Sequence, residues 1–474
     1  MSAFRGPFRF ALALLYASSV SSSPYSAPEI EWERILGKPK EDERPIALRE
    51  SPDHGFFILL RGGLDIRCMK AGPDGAMLWI KSFGNEDSET GVALERDSEG
   101  NFIILGSRYI WPPGHHYSYL LKVDPDGNLL WEHVYDTSDP TALCLSEDGG
   151  IVFAARDEPE PALTKTDSDG TVLWKRILPL ETFSWVNALI AADDGGFAIT
   201  GYHKPLGMLT YQDLLLAKTD KDGKLLWQRT YGGREDEEGH WLVQSPDGGY
   251  VVTGFTQAYS DQGSWAVEWV LKTDREGRKK WERTYSFLRG DRNVGPIYRA
   301  RGGGYIMVGG ARYHPSGVLA RLDDRGIALW HMVWRAREGG FGCDVCQVED
   351  GGYVVARPAH DRAGRVAVQL FKVGPDDLPP KFIRGDANAD GAISISDVIA
   401  VSHWLFLGKR FPCKGAADAN DDGAVNISDS VFLIEYLFRS GEAPPPPFRS
   451  CGWDTTGDPL ECGEYPPCAS PAGQ

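Results

Sequence analysis

A short pattern recurs every 43 to 54 residues through most of this 474-residue chain and constrains its fold. Each copy carries an Asp-Gly or related turn followed by a tryptophan, as in KTDKDGKLLWQRTYGG (218–233) and KVDPDGNLLWEHVY (122–135). A second element with a glycine turn, such as SPDGGYVVTG (245–254), precedes each copy. Because glycine accepts the positive φ of tight hairpin turns, both elements predict hairpins between short strands. Repeated four-stranded units of this length are typical of a β-propeller.

The tryptophan strands give the number of blades. They centre on Trp32, Trp79, Trp131, Trp174, Trp227, Trp281 and Trp330. The last copy of the second element, EDGGYVVA (349–356), has no tryptophan strand after it. Conversely, EIEWERILG (29–37) is a tryptophan strand with no copy of the second element before it. We therefore predict an all-β, seven-bladed propeller over residues 30–378. Residues 30–37 would supply the outer strand of the last blade, leaving no open sheet edge.

The Gly-x-x-x-Trp strands resemble the tryptophan-docking repeat of quinoprotein-like propellers. The resemblance implies that the tryptophans pack between blades. Cofactor-binding members of that superfamily typically have eight blades and an adjacent Cys-Cys pair, and this sequence shows neither feature. We therefore do not expect a bound quinone.

Two stretches near the C-terminus, RGDANADGAISISD (384–397) and AADANDDGAVNISD (416–429), place oxygen ligands at the spacing of a twelve-residue calcium loop. Carboxylate, amide, hydroxyl and main-chain oxygens suit Ca²⁺, and the glycine at position 6 permits the sharp turn around the ion. We predict two bound Ca²⁺ ions. The predicted ligands are Asp386, Asn388, Asp390, Ala392, Ser394 and Asp397 in the first loop, and Asp418, Asn420, Asp422, Ala424, Asn426 and Asp429 in the second.

Residues 384–441 resemble a type I dockerin, a small helical module that attaches secreted proteins to cohesin domains. The likeness rests on the duplicated loops, on aspartate at position 12, and on the helix patterns SDVIAVSHWLF and SDSVFLIEYLF. It implies a cohesin-like partner, contacted by the pairs Ile395-Ser396 and Ile427-Ser428 at loop positions 10 and 11, where many cellulosomal dockerins have Ser-Thr. The alternative is a calcium-stabilised cap that packs on its own propeller.

The first 23 residues have the layout of a cleaved secretory signal, with two arginines before a short apolar run. No later segment is long and apolar enough for a membrane helix. We expect a secreted, extracellular protein, with cell-surface association and a periplasmic location left open. The net charge of −17, from 67 acidic and 50 basic residues, argues against nucleic acid as a partner.

Four cysteines, Cys413, Cys451, Cys462 and Cys468, lie in the last 62 residues. In an exported protein they predict two disulfides, although three pairings are compatible with the sequence. Cys343 and Cys346 have CxxC spacing without a second ligand pair, and we expect a structural role for them. Residues 379–383 are expected to be a linker, and residues 442–474 a stapled Pro/Cys-rich tail.

The propeller loops carry the remaining candidates for function. Trp111, Tyr117 and Tyr119 have the aromatic rings that stack on sugars, and the acidic run 235–238 has oxygens that bind hydroxyls. No nucleophile elbow or zinc-protease motif is present in the sequence. The regular repeats favour a non-catalytic binding or display propeller that is tethered through the dockerin-like module, with polysaccharide as a candidate ligand. The alternative is a dockerin-bearing glycoside hydrolase or polysaccharide lyase.

Overall fold

The structure is a computed structural model that describes residues 24–468, with gaps at 38–42, 85–87, 112–113, 158–159, 181–183, 205–210, 259–265, 290–294, 312–315, 336–342, 361–365, 457–459 and 461. The expected signal segment lies outside the described residues. No helix in the described part of the chain is long and apolar enough to cross a membrane.

The strands form seven four-stranded antiparallel sheets, which confirms the predicted propeller and its blade number. The chain begins with β1 (Ile30–Leu36), and blade 1 follows as β2 (Arg44–Glu50), β3 (Phe56–Arg61), β4 (Ile66–Ala71) and β5 (Met77–Phe83). Blade 2 comprises β6 (Ser88–Arg96), β7 (Phe102–Ile110), β8 (His115–Val123) and β9 (Leu129–Tyr135). Blade 3 comprises β10 (Ser138–Leu145), β11 (Ile151–Asp157), β12 (Glu160–Thr166) and β13 (Val172–Ile177).

The later blades repeat the same meander. Blade 4 comprises β14 (Ser184–Ala191), β15 (Phe197–His203), β16 (Asp213–Thr219) and β17 (Leu225–Tyr231). Blade 5 comprises β18 (Glu237–Gln244), β19 (Tyr250–Thr256), β20 (Val267–Thr273) and β21 (Lys279–Arg289). Blade 6 comprises β22 (Ile297–Arg299), β23 (Tyr305–Ala311), β24 (Ser316–Leu322) and β25 (Ala328–Arg335). Blade 7 comprises β26 (Asp344–Gln347), β27 (Tyr353–His360) and β28 (Val366–Val373).

The N-terminal strand β1 completes blade 7, as predicted. It pairs antiparallel with β28, with Trp32 opposite Lys372 and Leu36 opposite Val368. The sheet order is β1-β28-β27-β26. Every blade therefore has four strands, and the ring closes through main-chain hydrogen bonds between the two ends of the propeller.

Most tryptophans of the outer strands pack against turn glycines of the following blade. A Cβ atom on Gly75 would lie 2.5 Å from the Trp32 ring, and one on Gly127 would lie 2.5 Å from Trp79. Both glycines have positive φ values, of 76° and 73°. The turn thus needs glycine twice over, for its backbone conformation and for the space that the neighbouring ring occupies.

A lysine near the end of the third strand ties most blades to their first hairpin turn. Its ammonium group pairs with the aspartate of the Asp-Gly-Gly or related turn, as in Lys165–Asp148 at 2.6 Å and Lys218–Asp194 at 2.8 Å. Blade 6 has RGGG instead of this turn, and there Arg321 pairs with Asp376 at 2.9 Å. Most turn carboxylates are therefore structural, as their regular recurrence indicates.

The C-terminal module is helical. It contains α1 (Ile395–Leu407), the short α2 (Lys414–Ala417) and α3 (Ile427–Arg439), followed by a 3-10 turn (Pro466–Cys468). Val398 of α1 and Leu433 of α3 share one buried cluster with Ala419. The two longer helices pack against each other through these apolar residues.

We expect Trp32→Ala to lower the free energy of unfolding by about 2 kcal/mol, because the substitution removes a partly buried ring from the closing interface. Ile35→Ala, on the same strand but exposed, is the matched control and should change stability little. Denaturant unfolding followed by circular dichroism measures both. Equal stability of the two variants would contradict the closing role of β1.

Candidate calcium loops and docking face

The first loop folds around its own acidic side chains. Asp386 accepts hydrogen bonds from the backbone N–H groups of Asp390 at 3.1 Å and Gly391 at 2.9 Å. Asp397 accepts from the N–H groups of Asn388 at 3.1 Å and Ser394 at 2.8 Å. Gly391 has a φ of 87°, which provides the turn at position 6. The carboxylates at loop positions 1 and 12 therefore both accept hydrogen bonds from the backbone between them.

The second loop repeats these contacts. Asp418 accepts from Asp422 N at 3.2 Å and Gly423 N at 3.0 Å, and Asp429 accepts from Asn426 N at 2.8 Å. The φ of Gly423 is 82°. The sequence duplication is thus a structural duplication, down to individual hydrogen bonds.

Each loop continues directly into a helix. Ser394 caps α1 and Asn426 caps α3, and in both cases the position-12 aspartate completes a capping box by accepting from the cap residue's N–H. Asp397 and Asp429 are therefore both predicted calcium ligands and helix-capping groups. The loop conformation and the first helical turn are held by the same side chains.

The carboxylates of the loops suit a cation. Asp386, Asp397, Asp418 and Asp429 are fully buried. Burial raises the pKa of Asp397 to about 6, and the nearby Asp386 and Asp390 add to the shift, while backbone hydrogen bonds oppose it. Burial, together with the charge of Asp429, raises the pKa of Asp418 to about 6. Buried, mutually repelling carboxylates of this kind fit a bound divalent cation.

Calcium would complete the loops by neutralising this charge. Among the described residues, no three His, Cys, Asp or Glu side chains converge into a metal site by themselves. Coordination therefore needs the amide of Asn388 or Asn420, the carbonyl of Ala392 or Ala424, and the residue at position 9 as well. The sequence places these donors as an EF-hand-like loop requires.

Two residues outside the predicted ligand sets contact the loops. Tyr465 donates a hydrogen bond from its hydroxyl to Asp386 Oδ2. Arg384, fully buried, donates to the carbonyl of Asp418 at 2.9 Å and pairs with Asp421 at 2.8 Å and Asp454 at 2.9 Å. Sequence reasoning missed both roles. For Arg384 the signal is its place directly before the first loop, whereas nothing near Tyr465 in the sequence indicates its contact.

Two disulfides involve the tail, and one of them joins it to the helical module. Disulfides join Cys413 to Cys462 and Cys451 to Cys468, which confirms two bridges and selects one of the three pairings. Phe382, within the segment expected to be a linker, is buried in a cluster with Cys413 and Tyr465. The segments on both sides of the dockerin-like helices thus form part of its core.

The module presents a duplicated apolar face. Ile395 and Ile427 are 48% and 53% exposed, and each is the first residue of its helix. Further exposed apolar residues lie at i+4 and i+11 in each helix: Ile399 and Phe406 in α1, Val431 and Phe438 in α3. At this spacing they share one side of a helix. We call these six residues the docking face.

The serines beside the isoleucines point to the loops. Ser396 Oγ accepts from Asn388 Nδ2 at 2.9 Å, and Ser428 Oγ accepts from Asn420 Nδ2 at 3.1 Å. Both serines are half-buried. Ser396 and Ser428 therefore link the position-3 amides to the start of the docking face.

The aromatic candidates of blade 2 do not form one surface. Trp111 is 72% exposed, directly after β7. Tyr117 is partly buried within β8, with its ring 4.8 Å from that of His115. Tyr119 is only 1% exposed, and its hydroxyl donates to Glu132. Tyr119 is thus a core residue whose ring is not free to stack on a ligand.

Cys343 and Cys346 are free thiols. Burial raises the pKa of both, to about 12 for Cys343, with the nearby Asp344 adding to the shift. A thiol with a raised pKa is a poor nucleophile at neutral pH. These properties agree with the structural role that we expected.

Comparison with known families agrees with the geometry of the loops. Residues 384–438 match the Dockerin type I domain. The chain therefore carries a type I dockerin domain after a seven-bladed β-propeller. Dockerin domains of this type bind calcium and cohesin partners, and the proteins that carry them are typically extracellular.

Solved propellers resemble the chain at low identity. A catalytically inactive virginiamycin B lyase from Staphylococcus aureus, with quinupristin, is 12% identical over 72% of this chain and 99% of that chain, with a TM-score of 0.49. The Pan2 WD40 domain of Neurospora crassa is 12% identical over 75% of this chain and 99% of that chain, also with a TM-score of 0.49. Both scores are below 0.5, so neither likeness bears on function. No curated protein matches the chain.

Asp386→Ala combined with Asp418→Ala should abolish calcium binding, because each loop loses its first carboxylate ligand. Isothermal titration of the full chain with Ca²⁺ measures the loss. Asp126→Ala, which removes an exposed turn carboxylate from blade 2, is the control and should bind as the unchanged chain does. Retained binding by the double variant would exclude these loops as the site.

The stability of the calcium-free module should fall as the pH rises from about 4 to 6. The raised pKa values of Asp397 and Asp418 mean that the folded state binds more protons than the unfolded state within this window. With saturating Ca²⁺ the trend should reverse, because the ion binds the ionised carboxylates. Thermal melts at pH 4.5 and pH 7, with chelator and with Ca²⁺, would show whether the two trends are opposite.

Proposed function

We propose that this protein is a display propeller that its calcium-loaded dockerin attaches to a cohesin-type partner outside the cell, and that the propeller binds a glycan. The observation that carries the attachment is the docking face. It is exposed, apolar and duplicated, and in each helix it begins two residues before a buried calcium-loop carboxylate. Exposed apolar patches of this kind are typical of protein interaction sites.

Calcium dependence follows from the hydrogen bonds of the loops. Asp397 caps α1 while holding loop 1, and Ser396 links Asn388 to the first turn of the helix. Without the ion, repulsion between the buried carboxylates opposes this arrangement. The positions of Ile395 and Ile427 therefore depend on the filled loops.

The tail of the helical module contacts the propeller. Trp453 of the tail belongs to the cluster that contains Trp330 and Tyr353 of the propeller. The hydroxyl of Tyr25 donates to the carbonyl of Asp454 at 2.7 Å. These contacts support part of the terminal-cap hypothesis, while the docking face stays exposed. We infer that the module both packs on the propeller and binds a partner.

The test is binding of the full chain to a panel of type I cohesin domains, with Ca²⁺ and with chelator. Ile395→Asp combined with Ile427→Asp should weaken binding at least about tenfold, because two apolar contacts are replaced by charges. Each single variant should retain more affinity, since either half of the duplicated face can serve. Leu78→Asp, at an exposed site on the propeller, is the matched control.

The outcomes separate the two hypotheses about the module. Calcium-dependent binding that the double variant loses and Leu78→Asp retains supports attachment through the docking face. Absence of binding to every cohesin, or equal binding by the double variant, would leave the terminal cap as the better interpretation. The alternative of a glycoside hydrolase or polysaccharide lyase stays a prediction, and release of reducing sugar from a polysaccharide panel tests it.

A further inference from the structure

Three blades share a buried glutamate at or just before the start of the inner strand. Glu43, Glu89 and Glu237 are each at most 1% exposed. Each carboxylate lies against a glycine that follows the preceding outer strand. A Cβ atom on Gly37, Gly84 or Gly232 would be 2.9, 2.6 or 2.6 Å from a glutamate oxygen. These are three copies of one structural position.

The first two copies carry their own counter-charge. Arg67 of β4 pairs with Glu43 at 2.8 Å, and Arg108 of β7 pairs with Glu89 at 3.3 Å. A buried carboxylate needs such a partner, or hydrogen bonds that replace it. Blades 1 and 2 therefore neutralise this position with a guanidinium group.

Blade 5 lacks the arginine at both positions. Thr256 lies opposite Glu237 in the register that places Arg108 opposite Glu89. Trp269 takes the position of Arg67, because each lies three residues before the third-strand lysine of its blade. Glu237 accepts instead from Thr256 Oγ1 at 2.8 Å and Gly233 N at 3.0 Å. These are neutral donors, so the charge of the carboxylate is not balanced by them.

A second carboxylate adjoins Glu237. A Cβ atom on Gly232 would lie 2.1 Å from Asp213 Oδ1 and 2.6 Å from Glu237 Oε2, so both carboxylates pack against this glycine. Burial raises the pKa of both groups, and the charge of Asp213 adds to the shift at Glu237. His203, opposite Asp213 across the strands, has the reverse effect on Asp213.

A cavity of about 330 Å³ lies where the arginine side chains are missing. Glu237, Thr256 and Trp269 line it, together with Tyr231 of blade 4. Lys279 also lines it, but its ammonium group pairs with Glu282 at 2.9 Å. The Lys279 side chain is 50% exposed, so the cavity reaches the protein surface.

The wall of the cavity contains an unsatisfied donor. Trp269 is 4% exposed, and its indole Nε1 has no hydrogen-bond partner among the described residues. A buried indole N–H without an acceptor is costly. Among the described residues, the cavity therefore offers no cationic partner to Glu237 and no acceptor to Trp269 Nε1.

The two requirements together discriminate between ligand classes. Lysine and arginine side chains offer only donors, so they satisfy the carboxylates but not the indole. A neutral sugar offers acceptors without a positive charge. An amino sugar carries an ammonium group and hydroxyl oxygens on one ring, and the cavity has room for a single pyranose.

We propose that the cavity between blades 4 and 5 binds the protonated amino sugar of a cationic glycan, with the ammonium group at Glu237 and a hydroxyl oxygen accepting from Trp269 Nε1. This inference rests on the proposed glycan-binding role of the propeller and names its ligand class. Its site is distinct from Trp111 and from the docking face.

The experiment compares glucosamine, N-acetylglucosamine and glucose as ligands of the full chain by ligand-observed NMR at neutral pH. Glucosamine should bind, and the two uncharged sugars should bind at least about tenfold more weakly, as expected for loss of a charge-assisted hydrogen bond. Thr256→Arg should abolish glucosamine binding, because it supplies in blade 5 the guanidinium that Arg108 supplies in blade 2.

Three controls make the result specific. Asp126→Ala, at an exposed turn of blade 2, should bind glucosamine as the unchanged chain does. Trp111→Ala should leave glucosamine binding unchanged. A thermal melt of Thr256→Arg followed by circular dichroism is the third control, because a melting temperature close to that of the unchanged chain shows that loss of binding does not reflect misfolding.

Equal binding of all three sugars, binding of arginine in preference to glucosamine, or unchanged binding by Thr256→Arg would overturn the inference. Glycan binding that Trp111→Ala abolishes and Thr256→Arg does not would also overturn it, while leaving the proposed function intact. Loss of cohesin binding with glucosamine binding retained would instead count against the attachment.

Discussion

The contact between an outer-strand tryptophan and the turn glycine of the next blade is the interaction on which the propeller depends. It joins Trp32 to Gly75 and Trp79 to Gly127, and it recurs between Trp281 and Gly326. Each blade buries its side chains against its neighbours, so stability is approximately a sum of blade and interface contributions. A linear stack would leave two terminal faces uncovered. Closure by β1 removes both.

Those features could be predicted from the sequence because their signals are local and repeated. No copy of the second repeat element precedes the tryptophan strand at residues 30–37. This mismatch predicts both the number of blades and the strand that closes the ring. The calcium loops are also contiguous stretches with fixed spacing. Arg384 with Asp454, Tyr465 with Asp386, and the choice of Cys413–Cys462 join distant parts of the chain instead. The burial of Tyr119 could not be predicted from the sequence, because Tyr117, two residues earlier on β8 and of the same residue type, stays partly exposed.

Repetition also provides an internal reference that a single site lacks. Glu237 alone is a buried carboxylate with two hydrogen bonds, which is unremarkable in a folded protein. Beside Glu43–Arg67 and Glu89–Arg108 it is the copy from which the arginine is missing. The comparison holds backbone position and burial nearly constant and changes the counter-charge. The missing arginine is therefore a property of blade 5 and not a requirement of the fold. The sequence alone does not reveal it, because the strand register must be known before the three glutamates can be aligned.

Calcium and the disulfides stabilise the C-terminal module through different states. The bridges close segments of 49 and 17 residues, and by loop entropy they destabilise the unfolded chain by about 4 and 3 kcal/mol. Calcium acts on the folded state, where it offsets the repulsion of buried carboxylates. The tail held by Cys462 and Cys468 also brings Tyr465 to Asp386 in loop 1, whereas loop 2 meets Arg384. Two loops with the same internal hydrogen bonds therefore have different surroundings, and the duplication is preserved inside the loops and across the docking face.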